Sequence, residues 1–544
     1  MKNMLTTKLG LLGLLVAILT TVLTAPLGNA QQPAVEIQFL TVSDWHAQLD
    51  PLVVTGIGNV GGAAALSAYF QAERAANPRT LTLTAGDAFG ASPPLSNFFN
   101  EEPAVLAMNA MGFDADALGN HNFDRGIAHL QQMIGLAQFP YLSANLKNVE
   151  DNLTGVAPFR IFDVGGVKVG IVGITNPEAP TLVFPGSFGT IEVTDPVPAA
   201  NKARAAAQRA GAKVMVAITH LGITGSDPAT GAPVGPLIDF ASNVGGFNII
   251  IGDHTDFEFS SMINNALVVE NRSRGRTYAR TRLTVDPRNG RILARSVEFV
   301  TPVSSAVTPD PAVVSLLAPF RTQLAAAFDR FIGIAMNIFP RGGNIERLRE
   351  VAIGNLVADS MRLRYGTQLA ITNGGGLRAP LPSSYLPVDL GLRRTSPGYA
   401  VGPPFDLVIG DPFAVLPFGN VIVTRTVTGA QLHAALEHSV AVLPSANGRF
   451  LQISGFRFTF DSSQSAGSRV VSVMLDDGTP VLPDGTTYTM AVPDFVNAGG
   501  DGYTMLADGQ GTTRELMADV LQKYIEGLGV IVPTIEGRIV DVKP

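Results

Sequence analysis

The chain has 544 residues, 46% hydrophobic and only 15% charged, which is globular composition with length for two large domains or three to four small ones. Its net charge of −7 argues against nucleic-acid polymers as partners, since these need a basic face. There is no cysteine, so disulfides, thiolate nucleophiles and Cys-held metals are excluded, and any metal must be bound by His, Asp, Glu or Asn. The first element is a secretory signal: Lys2 and Lys8 lead an uncharged run from Leu9 to Ala25, Pro26 breaks it, and Gly28-Asn29-Ala30 offers a cut after Ala30. The run is slightly long, so a retained anchor is the alternative. No other stretch is long and apolar enough to span a membrane. The expected product is an exported chain, periplasmic or extracellular, with no membrane contact after cleavage. The sequence carries no signal for its oligomeric state.

From residue 35 to about residue 300 strands and helices alternate, as in an α/β domain with covered sheets. "VEIQFLTVSD", "TLTLTAGD", "VKVGIVGIT", "AKVMVAITH" and "FNIIIGDH" read as strands. "GGAAALSAYFQAERAANP", "EEPAVLAMNAMGF" and the Ala-rich stretch from Ala199 to Ala210 read as helices. "TPVSSAVTPDPA" is a Pro/Ser-rich linker, followed by an amphipathic helix from Val313 to Phe331. A second domain is expected from Met336, opening with a helix from Ile345 to Tyr365 and continuing in short strands and Gly/Pro turns. The expected division is 1–30 signal, 31–302 first domain, 303–335 linker with helix, and 336–544 second domain.

Chemistry collects at the ends of the first domain's strands. Asp44 and His46 close "FLTVSDWH", Asp87 closes "TLTLTAGD", Asn120 and His121 lie in "ALGNHNFD", His220 closes "VMVAITH", and His254 and Asp256 close "IIIGDHTD". Ligands of α/β sheets bind beyond the carboxyl ends of strands. A lone strand-end histidine is more often a hydrogen-bonded structural residue than a ligand; five such segments in series are another matter. With a strand period of two, Asp44/His46 and His254/Asp256 would each share a face and grip one ion. Histidine nitrogens, carboxylates and one amide oxygen suit Zn, Mn, Co or Fe. Eight coordination positions with one shared carboxylate make a two-metal site, which can generate hydroxide from water and clamp the oxygens of an in-line phosphoryl displacement. Asp124 can orient His121, which then protonates a leaving oxygen. Trp45 is expected to pack under the site. Asp253, on the other strand face, reads as a turn residue or a partner behind the ligands.

The ordered series "SDWH", "AGD", "GNHNFD", "THLG", "GDHTD" resembles the calcineurin-like metallophosphoesterases, in particular the secreted 5′-nucleotidase / UDP-sugar hydrolase family. The resemblance covers nearly the whole mature chain. It implies a four-layer α/β/β/α sandwich followed by a smaller α/β (α+β) substrate-binding domain. It also implies that Asp44, His46, Asp87 and Asp256 hold one divalent ion, that Asp87, Asn120, His220 and His254 hold the other, and that His121 and Asp124 are the catalytic pair. The family more often has His or Gln where Asp256 stands, and Gly at Asp253. An acid at 256 would harden that position toward Mn or Fe.

The second domain carries four further segments. "RLREVAIGNLVADSMR" and "AITNGGGLR" present Arg347 and Arg378, the latter beside a glycine turn of the kind that suits anions. "VLPFGN" and "VPDFVNAGGDGY" present Phe418 and Phe495 in turns, where two aromatic faces can sandwich a base. By the same resemblance Arg347 and Arg378 bind phosphate, Asn373 and Asn420 orient the substrate, Phe418 and Phe495 stack the base, and Asp501 holds the ribose. Arg393 or Arg394 could add a phosphate contact; His433 and His438 lie outside every motif and read as structural. The expected activity is a dimetal nucleotide phosphohydrolase releasing phosphate from nucleoside 5′-phosphates, with UDP-sugars as a further substrate class. The alternatives are a 2′,3′-cyclic-nucleotide phosphodiesterase/3′-nucleotidase, a thiosulfohydrolase-like relative, and a non-catalytic nucleotide-binding protein.

Overall fold

The structure, a computed structural model, describes residues 33–543 except 55 and 228; the signal expected at 1–30 lies outside the described residues. Two sheets stack face to face in the first half. One orders its strands Ile292–Val300, Tyr278–Val285, Val35–Val42 and Thr80–Thr84. The other runs Phe259–Ile263, Ala266–Glu270, Ile249–Ile251, Val214–Thr219, Val167–Ile174 and Phe159–Val164, with its four central strands parallel. Ile37, Phe39, Leu81 and Leu83 meet Val169, Ile171, Val216 and Ile249 in the core between the sheets. Helices Ala63–Ala76, Glu102–Met111 and Gly126–Leu136 cover one outer face, and Pro196–Arg209 and Pro236–Asn243 the other. Both faces of each sheet are therefore covered, which is why Val214–Thr219 and Ile249–Ile251 are apolar without alternation. The result is the α/β/β/α sandwich.

The second half is built on a five-stranded sheet ordered Leu451–Ser454, Leu369–Asn373, Thr487–Pro493, Val421–Thr428 and Thr512–Leu516. Helices Ala352–Tyr365 and Met517–Leu528 pack on one face and Gly429–Val440 on the other.

Two expectations change. The segment 303–335 is not a free connector. Its helix, Pro311–Phe328, is capped by Asp310, whose carboxylate also accepts from Ser67 Oγ (2.6 Å) and Gln71 Nε2 (2.8 Å) of the first helix, and Phe328 packs edge-on against Phe413 of the second half at 5.0 Å. Strand Phe331–Ala335, ahead of Met336, already pairs with Phe405–Val408 and Val530–Ile531. The helix expected from Ile345 to Tyr365 is also split, into a 3-10 turn at Ile345–Arg347 and an α-helix at Ala352–Tyr365. The side chain of Gln452 causes the break: its Oε1 accepts from Val351 N (3.0 Å), and its Nε2 donates to the carbonyls of Glu346 (3.1 Å) and Arg349 (2.8 Å). It satisfies backbone groups that a continuous helix would have paired internally.

Candidate active site at the domain interface

The acid and histidine motifs sit just past the strands. Strand Val35–Val42 stops before Asp44, Thr80–Thr84 before Asp87, and Ile249–Ile251 before His254. Asp44 (φ 39°), His46 (φ 47°), Asp87 (φ 49°) and His254 (φ 80°) all have left-handed backbones, which non-glycine residues rarely adopt and which concentrate at functional sites. Strand alternation therefore does not extend into these loops, and the expectation that a spacing of two places His254 and Asp256 on one face fails. Gly119 permits the close approach of two of the loops, since a Cβ there would stand 2.2 Å from Asp87 Oδ1.

Four acceptor-type atoms converge. His220 Nε2 lies 3.0 Å from Asp87 Oδ2, 3.2 Å from Asn120 Oδ1 and 3.0 Å from His254 Nδ1. One imidazole proton cannot satisfy three such neighbours; a cation can, and Asp44 Oδ1 adds a buried oxygen with no hydrogen-bond partner. One ligand atom each of His46, Asp87 and His121 forms a second group, and Asp44, His220 and Asp253 a third, all within 4.8 Å of one another. The donor set fits divalent ions. Burial opposes charge on His220, yet Asp87 raises it to about 9. Burial, and then His220, hold His254 well below its usual range.

His121 Nδ1 is 3.0 Å from both carboxylate oxygens of Asp124, and its backbone N–H donates to Asp87 Oδ1 at 2.8 Å. Its ring stacks on Phe418 of the second half, centroids 5.4 Å apart and 24° from parallel. Arg378 lies over the same Phe418 ring at 5.7 Å, and its Nη2 is 3.1 Å from His46 Nε2. The two halves thus meet at the site.

A cavity of about 380 Å³ opens there. Asn120, His121 and His254 line it from the first half, and Arg347, Arg378, Asn373, Asn420, Phe418, Phe495 and Asp501 from the second. Asn373 Nδ2 donates to Asp501 Oδ2 (2.7 Å), and Asn420 Nδ2 to Asp494 Oδ1 (2.7 Å). The Phe495 ring lies over Gly500, where a Cβ would come within 2.2 Å of it. Burial, then the charges of Arg341, Arg274 and Arg347, drive Arg378 well below the usual guanidinium range. Such crowding of cations, with buried N–H groups of Arg274, Arg347 and Arg378 lacking partners, is the electrostatics of an anion site.

Some expected residues are not brought in. Asp256 has both oxygens engaged elsewhere: Oδ1 accepts from Ser273 N (3.1 Å) and Oγ (3.2 Å), and Oδ2 pairs with Arg276 Nη1 (2.9 Å). It is absent from the three ligand groups, and Asp253 is present instead. The arginine-rich turn 272–276 is the physical reason, because it draws the Asp256 carboxylate to itself. Arg393 pairs with Asp406 and Arg394 with Asp411, so neither faces the cavity. His433 Nε2 donates to the Val481 carbonyl. His438 Nε2 lies 2.8 Å from the Asp501 carbonyl and thereby holds the left-handed turn (φ 55°) that presents Asp501. Trp45 is buried as expected. Sequence reasoning missed Arg274, Arg341 and the wall formed by Asn176, Glu178 and Leu182 to Phe184. The run "RSRGR" was a visible signal for the first; the others lie in loops with no motif.

Residues 332–508 match the family model described as "5′-nucleotidase, C-terminal domain". A snake venom 5′-nucleotidase of Naja atra is 28% identical over 543 residues, covering 93% of this chain and 98% of that protein. The 5′-nucleotidase of Homo sapiens is 27% identical over 93% of this chain and 90% of its own length. Among solved structures, a 5′-nucleotidase precursor from Thermus thermophilus superposes with a TM-score of 0.82 at 30% identity, covering 94% of this chain and all of that one. A sulfate thiohydrolase shares the fold at a TM-score of 0.75 and 16% identity, covering 93% of this chain and 97% of that one.

Proposed function

Because the chain belongs to the 5′-nucleotidase family and is a nucleotide phosphohydrolase, we propose that it is an exported enzyme which releases phosphate from nucleoside 5′-phosphates at a two-metal centre between its domains. UDP-sugars are a further substrate class. The observation that carries the metal-dependent reading is the convergence of Asp87, Asn120 and His254 on His220 Nε2 within 3.2 Å, with His121 on the adjoining loop. Asp44, His46, Asp87, Asn120, His220 and His254 would hold the ions, with Asp87 shared. Bound there, divalent ions of the Mn, Zn, Co or Fe class would supply Lewis-acid charge and would lower the pKa of a water nucleophile.

The rest is done by side chains. Arg347 and Arg378 neutralise the charge that gathers on the phosphoryl oxygens. His121, fixed in orientation by Asp124, gives a proton to the departing nucleoside oxygen, which breaks the ester bond without releasing an alkoxide. Phe418 and Phe495 face the base, Asp501 accepts from the ribose hydroxyls, and Asn373 and Asn420 hold the acids and the turns around them. The phosphate-binding arginines and the ions lie in different domains, so turnover requires the interface, and domain closure about the 301–335 segment is part of the reading. A disulfide engineered to hold the domains apart would abolish turnover; unchanged turnover would overturn it. Export rests on the signal pattern at 1–30.

The deciding experiment is phosphate release from nucleoside mono-, di- and triphosphates, UDP-glucose and cyclic nucleotides, with Mn, Zn or Co supplied. Release from 5′-monophosphates supports the reading, preference for cyclic nucleotides redirects it to a phosphodiesterase, and no release from a metal-loaded protein defeats it.

A further inference from the structure

The loop that carries Phe418 is held from both domains. On its own side, Asn420 Nδ2 donates to Asp494 Oδ1 (2.7 Å), and the Asn420 carbonyl accepts from Met517 N (2.9 Å). Across the interface, Asn97 Nδ2 donates to the carbonyl of buried Pro417, one residue before the ring. Asn97 ends the short helix Pro94–Asn97 and belongs to none of the ligand or substrate motifs. Its turn is braced from within. Buried Glu101, with a left-handed backbone (φ 67°), accepts at Oε2 from Ser96 Oγ (2.6 Å) and donates its own N–H to the Ser96 carbonyl (3.1 Å). Arg125, the neighbour of Asp124, donates through Nη2 to Oδ1 and to the carbonyl (3.0 Å) of Asn97, and through Nη1 to Asn100 Oδ1 (2.8 Å).

These contacts fix which way the amide points. A guanidinium has donors and no acceptor, so the Asn97 oxygen must face Arg125 and its NH₂ must face Pro417. The space left among Asn97, Glu101, His121, Asp124, Arg125 and Phe418 is about 30 Å³, room for one water. Little slack therefore lies behind the stack of Phe418 on His121 (5.4 Å, 24°). We propose that Asn97 is a positioning residue for nucleotide binding: with its amide set by Arg125, it pins the Pro417 carbonyl from the first domain and so seats the Phe418 ring against the base. The bond spans two domains and forms only where they meet. It strengthens binding rather than proton transfer at His121, which Asp124 already orients. The inference rests on the nucleotide-hydrolysing reading above and adds to it a residue from outside the ion centre.

The test combines two substrates with a double-mutant cycle. Asn97→Asp keeps an oxygen toward Arg125 and replaces the NH₂ with a second oxygen, which opposes the Pro417 carbonyl instead of donating to it. Leaving that buried carbonyl without its donor lowers kcat/KM for a nucleoside 5′-monophosphate about 5- to 150-fold, through a raised KM with kcat held. Ribose 5-phosphate, which has no base, loses less. Phe418→Ala removes the ring that Asn97 seats, so adding Asn97→Asp to it changes the ratio between the two substrates no further. A wild-type KM in Asn97→Asp overturns the assignment. So does a loss carried by kcat and equal on both substrates, the mark of a residue that only supports the fold, and so do additive effects in the cycle. If Asn97→Asp does not fold, Arg125→Met, at an exposed position, decides: it frees the amide to turn, so the nucleotide KM rises, and an unchanged KM refutes the proposal. A wild-type protein that releases no phosphate from any nucleotide defeats the reading above, an outcome distinct from the failure of Asn97.

Discussion

Phe418 makes contacts of two kinds, and Phe418→Ala separates them. Its ring stacks on His121 (5.4 Å, 24°) and lies under the Arg378 guanidinium (5.7 Å); both contacts serve the phosphoryl end, whatever the substrate. The side chain also lines the cavity shared with Phe495, a contact that serves only a substrate with a base. Losing the cation–π contact costs about 0.5–2 kcal/mol, and this loss falls equally on nucleotides and on ribose 5-phosphate. Losing the base stack costs a further ~1–3 kcal/mol, on nucleotides alone. The ratio of kcat/KM for a nucleoside 5′-monophosphate to that for ribose 5-phosphate therefore falls about 5- to 150-fold in the variant, because the shared term cancels. Steady-state phosphate release on both substrates measures it. An unchanged ratio, with both substrates impaired alike, would mean that Phe418 only buttresses His121 and Arg378 and that the base is recognised elsewhere.

Other outcomes follow from the same geometry. His121→Ala lowers kcat about 10²- to 10⁴-fold with little change in KM; a normal kcat would mean that the leaving oxygen departs without its proton. Arg394 is buried, and its guanidinium meets both oxygens of buried Asp411 at 2.6 and 2.8 Å, so Arg394→Met strands that charge and costs about 3–5 kcal/mol in urea unfolding, while KM for nucleotides is unaffected. A raised KM in a normally stable Arg394→Met would restore the arginine to the substrate site. Glu515 is held down at about 2 by hydrogen bonds from Arg364 and then Lys523. A depressed carboxyl stabilises above its unfolded value near 4.5, and the stabilisation is lost as pH falls toward 2. Glu515→Gln therefore flattens the acid limb of the stability curve in that window, and an unaltered limb counts against the pairing.

Much of the molecule was legible in one dimension. Apolar runs such as "VMVAIT" and "NIII", each ending in a polar cluster, indicate buried parallel strands with chemistry at their carboxyl ends, because only a strand covered on both faces drops its alternation. The order of Asp44, His46, Asp87, Asn120, His220 and His254 along the chain follows from the same repeated unit. The split of the 345–365 segment was not legible, since it depends on Gln452, a hundred residues away, taking three backbone groups. Nor was the fate of Arg394, which looks like a free cation until the fold brings Asp411 to it. The two acids of "GDHTD" show the division most clearly. The sequence by itself determined that the strand end carries two carboxylates beside a histidine, within reach of an ion. Only the tertiary structure gives the two acids different surroundings, because the left-handed backbone at His254 ends strand alternation, Ser273 and Arg276 engage Asp256, and the N–H groups of Asp44 and His254 hold Asp253.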